Sequence, residues 1–201
     1  VSVVAPTGTI GLIMDCDTGG KLEHISINTR RIEKCGVSAM IIEDKCGVKK
    51  NSLFGTSVEQ RLESIDVFAD KIKTIKYSQQ STDFMVFARV EALIAGRSMD
   101  EALERAFAYA DAGADGIMIH SREKDGLEIQ VFCNQFRKEN NSLPLILVPT
   151  SYNHITEDTL MEWGANIVIY ANHMLRSTYP AMLNVAESIL KNKCSHNIDS
   201  N

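Results

Sequence analysis

Ser38-Ala39-Met40-Ile41-Ile42-Glu43-Asp44 changes character partway along: a run of small and apolar residues with no alternation gives way to two adjacent carboxylates. A run of this kind reads as a strand covered on both faces, as in parallel sheets clothed in helices. Glu43 and Asp44 then stand where the strand leaves the core. Lys45, Lys49, Lys50 and Asn51 follow close behind. A buried strand that ends in concentrated polar chemistry recurs along the rest of the chain.

Five further apolar runs, at 10–14, 84–88, 116–119, 145–148 and 166–170, share its texture. Helical patterns lie between them. One places Leu62, Ile65, Phe68, Ile72 and Ile75 on a single face behind a Ser57-x-x-Gln60 capping box. Another starts at Ser98 with Glu101 three residues on, carries Leu103, Ala106, Phe107 and Ala110, and stops at Gly113. Three times a helix passes through a glycine into the next strand: at Cys35-Gly36-Val37, at Ala112-Gly113-Ala114-Asp115-Gly116 and at Trp163-Gly164-Ala165. Repeated βα units with such short returns predict parallel strands.

Parallel strands build either an open doubly wound sheet or a closed βα barrel, and the strand ends favour the barrel. The six runs terminate in Asp15 and Asp17, Glu43 and Asp44, Arg89 and Glu91, His120 and Ser121, Thr150 and Ser151, and Asn172 and His173. Polar groups thus converge from many strands, as they do at the C-terminal mouth of a barrel. An open sheet gathers them at one switch point and usually carries a glycine-rich phosphate turn after its first strand. Asp17-Thr18-Gly19-Gly20 only approximates such a turn, and no G-x-G-x-x-G or Walker pattern occurs. The expected fold is an α/β barrel of the (β/α)8 TIM type, a single partial domain over 1–201 in which six strands are visible where closure takes eight.

The 201 residues, 44% hydrophobic and 23% charged, suit one globular domain. A net charge of -5 and the lack of any basic tract interleaved with aromatics argue against a nucleic-acid partner. No apolar run approaches the ~20 residues of a membrane span, and Val1-Ser2-Val3-Val4-Ala5-Pro6 lacks the basic start of a secretory signal. No membrane partner is expected. Cys16, Cys35, Cys46, Cys133 and Cys194 are odd in number and without metal spacing, which fits a reducing, cytoplasmic setting.

Asp15 and Asp17 stand i, i+2 on one side of an extended segment, about 7 Å apart. An isolated pair of this kind often caps the following turn. With Glu43 on the next strand, the three instead suggest a hard divalent cation such as Mg²⁺, which is content with one or two carboxylates plus waters and substrate oxygens. Arg89 and Glu91 read either as a salt bridge closing the rim or as an arginine fork for a small anionic substrate. His120 reads as a satisfied core histidine or as a member of the site. Lys49 and Lys50, between Gly47 and Asn51-Ser52, suggest a loop that closes over the mouth.

Asp15-Cys16-Asp17-Thr18-Gly19-Gly20, Glu43-Asp44-Lys45, Lys49-Lys50-Asn51-Ser52-Leu53, Ala88-Arg89-Val90-Glu91 and Ile119-His120-Ser121 together resemble the phosphoenolpyruvate mutase family of the isocitrate lyase superfamily, in order and spacing, as far as Ala171-Asn172-His173. The resemblance implies a Mg²⁺-dependent barrel that interconverts phosphoenolpyruvate and phosphonopyruvate. It implies Asp15 as the direct metal carboxylate, with Asp17 and Glu43 on metal-bound waters. Arg89 and His120 would contact the substrate, and Lys49, Asn51, Ser52 and Leu53 would belong to a gating loop. Homo-oligomers are implied as well. Carbon-carbon lyases of the superfamily carry a cysteine where this chain has Asn51, so a lyase is disfavoured. Phosphonopyruvate hydrolase shares the metal site and substrate, and Asn51 tilts the choice toward mutase.

The chain departs from the family at Gly20 and Cys16, which are minor variants. More important, the family's first two βα units have no counterpart here, which would leave two sheet edges bare. Three readings follow: the C-terminal portion of a mutase, a phosphonopyruvate hydrolase, or a truncated, non-catalytic barrel that acts only through subunit packing.

Overall fold

The computed structural model describes residues 2–4, 10–47, 60–196 and 198. They fall into two compact units, Val1–Ile169 and Tyr170–Asn201. The first holds one sheet in the order β1-β2-β3-β4-β5-β6-β7. β2 (Ile10–Asp15), β3 (Ala39–Glu43), β4 (Met85–Val90), β5 (Gly116–Ile119), β6 (Leu145–Leu147) and β7 (Ile167–Val168) are the six expected runs, each parallel to the next. They curl into part of a TIM-type barrel.

One edge differs from expectation. β1 (Ser2–Val4) pairs antiparallel with β2, Ser2 opposite Leu12 and Val4 opposite Ile10, so the outer edge of β2 is covered. Val3 and Val4 suit an extended conformation, and the pairing occupies hydrogen-bonding groups that β2 would otherwise leave open.

The connecting helices are α1 (Leu22–Lys34), α2 (Ile65–Ser78), α3 (Met99–Asp111), α4 (Leu127–Glu139) and α5 (Glu157–Glu162). α3 starts as the sequence predicts, with Ser98 Oγ accepting from Glu101 N at 3.2 Å. α2 does not. Its cap is Ser64, whose Oγ accepts from Val67 N at 3.4 Å, and Gln60 and Leu62 precede the helix. Ser57 lies outside the described residues.

The three helix-to-strand glycines share one device. Gly36, Gly113 and Gly164 take φ of +81°, +100° and +99°. The residue after each donates back to the carbonyl of Ile32, Tyr109 or Leu160, while the glycine itself donates to that of Glu33, Ala110 or Met161. This paired return closes a helix when a left-handed residue follows it.

Strand periodicity then sorts the side chains. Met40, Ile42, Val86, Ala88, Val90, Ile117, Ile119, Leu145 and Leu147 pack under the helices. Ile13, Ala39, Ile41, Phe87, Met118 and Ile146 form a second buried cluster on the other, inner face. Continuing the inner set by two residues reaches Asp15, Glu43, Arg89 and His120. The candidate residues are therefore the layer above a hydrophobic floor.

The second unit is α6 (His173–Asn192), an amphipathic helix none of whose residues is buried. It contains Pro180, and it begins after Asn172, which takes a left-handed φ of +61°. Among the described residues no helix is long and apolar enough to cross a membrane.

Candidate active site

The turn after β2 is tied both to itself and to β3. Asp15 Oδ1 accepts from Asp17 N at 3.0 Å, and Gly19 N donates to Cys16 O at 2.9 Å. Asp17 adopts the left-handed conformation (φ +52°), unusual for a side chain other than glycine. It is held there by Glu43 N, which donates to the Asp17 carbonyl at 2.7 Å. Gly19 is required twice over: its φ is +73°, and a Cβ would come within 3.1 Å of Ile42 and 3.3 Å of Ile25. Gly20 also has positive φ, +83°. Burial, then the charges of Asp15 and Asp17, push the Cys16 thiol up to about 12 and leave it an inert filler.

Strand register assembles the cations. Glu43 lies opposite Arg89, and Val90 opposite Ile119, so the next step sets Glu91 beside His120. His120 Nδ1 is 2.9 Å from Glu91 Oε1, an oxygen that also accepts from Arg89 Nε. Lys45 Nζ stands 3.5 Å from Glu91 Oε2 and 3.3 Å from Glu43 Oε1. The far end of Arg89 spans two of the three candidate metal acids, with Nη2 3.2 Å from Glu43 Oε2 and Nη1 3.6 Å from Asp15 Oδ2. Glu91, fully buried, is the common anchor. Burial opposes its charge. The hydrogen bond from His120 and the cations around it prevail, holding Glu91 well below the usual carboxylate range. Burial and then the Arg89 charge lower His120. A neutral ring that donates Nδ1–H to Glu91 leaves Nε2 as its remaining polar atom.

Beneath lies Asp44, also fully buried. Its Oδ1 accepts from Glu91 N at 2.9 Å, and its Oδ2 meets Tyr109 OH at 2.8 Å and Arg105 Nη1 at 3.2 Å. Burial outweighs these bonds and pushes its pKa up to about 6.

Asp15, Glu43, Arg89 and His120 thus share one connected site, and Asp17 borders it through its backbone. Lys49, Asn51, Ser52 and Leu53 lie outside the described residues. Arg89 and Glu91 form the buried salt bridge of the first reading, and the same pair ties the Arg89 guanidinium to Glu43 and Asp15. The structural weight of Asp44 and Lys45 was not legible in sequence, where each is one polar residue in a dense run, and Glu91 was read only as a partner of Arg89, not as the group that also holds His120 and Lys45. The signal that could have found Glu91 is its position two residues past Arg89 on the same strand face.

The donor set suits a hard cation. All three acids offer oxygen, but among the described residues no three acidic, histidine or cysteine side chains are clustered tightly enough to hold an ion unaided. An ion that keeps several waters does not need such a cluster. Glu43 Oε1 is buried and meets the Lys45 ammonium outside hydrogen-bond geometry, and burial raises the Glu43 pKa. A cation-bound water would satisfy this oxygen.

A family model described as phosphoenolpyruvate phosphomutase matches residues 1–190. The phosphoenolpyruvate phosphomutase of Tetrahymena pyriformis is 39% identical over 191 residues, covering 94% of this chain and 62% of that protein. The crystal structure of a phosphoenolpyruvate phosphomutase from Streptomyces platensis subsp. rosaceus superposes with a TM-score of 0.90 at 38% identity, over 96% of this chain and 66% of that one. A phosphonopyruvate hydrolase in complex with oxalate and Mg²⁺ superposes with a TM-score of 0.84 at 37% identity, over 96% of this chain and 65% of that one. The chain therefore spans less than two thirds of the length of its Tetrahymena relative.

Proposed function

This chain belongs to the phosphoenolpyruvate phosphomutase family, and on that footing we propose that the protein is a cytoplasmic, homo-oligomeric isomerase interconverting phosphoenolpyruvate and 3-phosphonopyruvate with Mg²⁺. The observation that carries the proposal is the placement of Arg89, His120 and Lys45 around one buried carboxylate, Glu91, beside Asp15 and Glu43.

The isomerisation breaks the bond between phosphorus and the enol oxygen and forms one between phosphorus and the methylene carbon. No proton is gained or lost. Such a reaction asks for positioning, cationic support and exclusion of water rather than a general base. Bound Mg²⁺ would draw charge from the substrate oxygens, with Asp15 holding it directly and Asp17 and Glu43 holding its waters. Arg89, braced by Glu91 and Glu43, offers a fixed guanidinium to the substrate's anionic groups. His120, oriented by Glu91, fixes one edge of the substrate through Nε2. On sequence alone, Lys49, Asn51, Ser52 and Leu53 supply the groups that cover the mouth, and Asn51 favours mutase over lyase.

Phosphonopyruvate hydrolase is the second reading, favoured by an identity to the hydrolase structure, 37%, that nearly equals the 38% to the mutase. Turnover of phosphonopyruvate by the intact protein tests the site. Asp15→Ala is expected to abolish the Mg²⁺-dependent rate, and Arg89→Met to lower it by roughly a hundredfold or more, as for loss of one preorganised charge donor. Retained activity in Asp15→Ala contradicts the metal assignment.

A further inference from the structure

The strand ends are joined a second time, behind the mouth, by two basic side chains of the helix layer. Lys71 of α2 and Arg105 of α3 are only 3% and 6% exposed. Lys71 Nζ donates to the Thr18 carbonyl at 3.0 Å and stands 2.9 and 2.8 Å from the two carboxylate oxygens of Glu63. Arg105 Nη1 donates to the Glu63 carbonyl at 3.0 Å and to Asp44 Oδ2 at 3.2 Å, while Nε and Nη2 close on Glu101 at 3.0 and 2.9 Å. Glu63 is thus gripped from both helices.

Glu63 also closes a short antiparallel stem. Its N–H donates to the Asp44 carbonyl at 2.9 Å, Cys46 N donates to the Arg61 carbonyl at 2.9 Å, and Lys45 bridges Leu62. The stem carries Lys45, whose ammonium lies between Glu43 and Glu91. Thr18 sits in the turn that carries Asp15 and Asp17. A polar chain therefore runs from the turn after β2, through Lys71, Glu63, Arg105 and Asp44, to the backbone of Glu91 after β4.

A buried ion pair contributes little net stability compared with apolar residues of similar shape, because both charges must leave water. What it does supply is direction: fixed donors aimed at particular carbonyls. The arrangement parallels the outer supports of metal sites, where groups that never touch the ion still orient those that do. Resting on the mutase reading of the mouth, we propose that Lys71 and Arg105 are positioning residues. Lys71 sets the acidic turn through the Thr18 carbonyl, and Arg105 sets the stem and, through Asp44, the Glu91 backbone.

The two roles separate by experiment. In the intact protein, Mn²⁺ affinity is measured by paramagnetic resonance without substrate, beside phosphonopyruvate turnover and thermal unfolding. Lys71→Met is expected to weaken Mn²⁺ binding roughly tenfold and to lower kcat by a similar factor. Asp44→Asn with Arg105→Met, which leaves no lone buried charge, is expected to lower kcat about tenfold while Mn²⁺ affinity stays within about twofold. Glu63→Gln with Lys71→Met replaces that pair by neutral groups of similar shape. It covers the case in which Lys71→Met alone fails to fold, and it is expected to show the same loss of Mn²⁺ affinity, since Thr18 still loses its donor. Unchanged Mn²⁺ affinity and kcat in these variants overturns the positioning role. A wild-type protein that neither binds Mn²⁺ nor turns over phosphonopyruvate overturns the underlying reading instead.

Discussion

Glu91 reconciles the charges of the mouth: one buried carboxylate faces an arginine, a lysine and a histidine. Glu91→Gln removes the carboxylate that Arg89 and Lys45 share and leaves Glu43 and Asp15 to balance them, and the expected loss at pH 7 is about 1.5 to 3 kcal/mol in denaturant unfolding. The pH dependence follows from the depressed pKa of Glu91. Its contribution is complete above the unfolded value of about 4.3 and fades as pH falls below it, so the gap to wild type should hold steady from pH 7 to about pH 4.5 and then narrow. Asp44 behaves in the opposite sense. The native side chain keeps its proton up to about pH 6, whereas the unfolded one releases it near 3.9. The native state therefore binds more protons in that window, and stability falls as pH rises through it, by a margin on the order of 2 to 3 kcal/mol. Asp44→Asn should flatten this slope when urea unfolding is compared at pH 4.5 and 6.5. A wild-type slope that survives the substitution contradicts the assignment.

Among the elements, the returns from helix to strand were the most legible part of the chain. Gly36, Gly113 and Gly164 announce themselves in sequence because only glycine takes positive φ without cost, and each sits where a helix must stop and a strand begin. Gly116 is needed for another reason. It faces Phe87 in the sheet, and a Cβ there would come within 2.9 Å of the Phe87 ring and 3.0 Å of both Ile146 and the Pro144 carbonyl. Gly116→Ala is expected to cost about 1 to 3 kcal/mol by overpacking, read as a lowered Tm; an unchanged Tm would show that the β4–β5 contact can yield.

The start of α2 was not legible. Ser57 and Gln60 match a capping box, but Glu63 and Arg61 are drawn into the stem against Asp44 and Cys46, so helix waits for Ser64. Long-range pairing overrode a local signal. The site shows the same division. Which strand ends carry polar groups could be read from the sequence, while the way Glu91 joins them depends on strand register, which single runs do not encode.

At the scale of the whole molecule, β2 to β7 account for six strands of a barrel, and the added β1 covers one edge. α6 has none of its residues buried, with Met174 85% and Leu190 79% exposed. An amphipathic helix of this kind draws most of its stability from packing its apolar face. The homo-oligomer proposal predicts an intact protein that sediments as a dimer or larger at micromolar concentration, and a monomer would contradict it. The most direct test of the proposed chemistry is phosphorus NMR of phosphonopyruvate incubated with the intact protein and Mg²⁺. The mutase reading predicts that the phosphonate signal gives way to that of phosphoenolpyruvate, and that chelating the metal stops the conversion. Inorganic phosphate as the sole phosphorus product, or a phosphonate signal that persists unchanged, would contradict it.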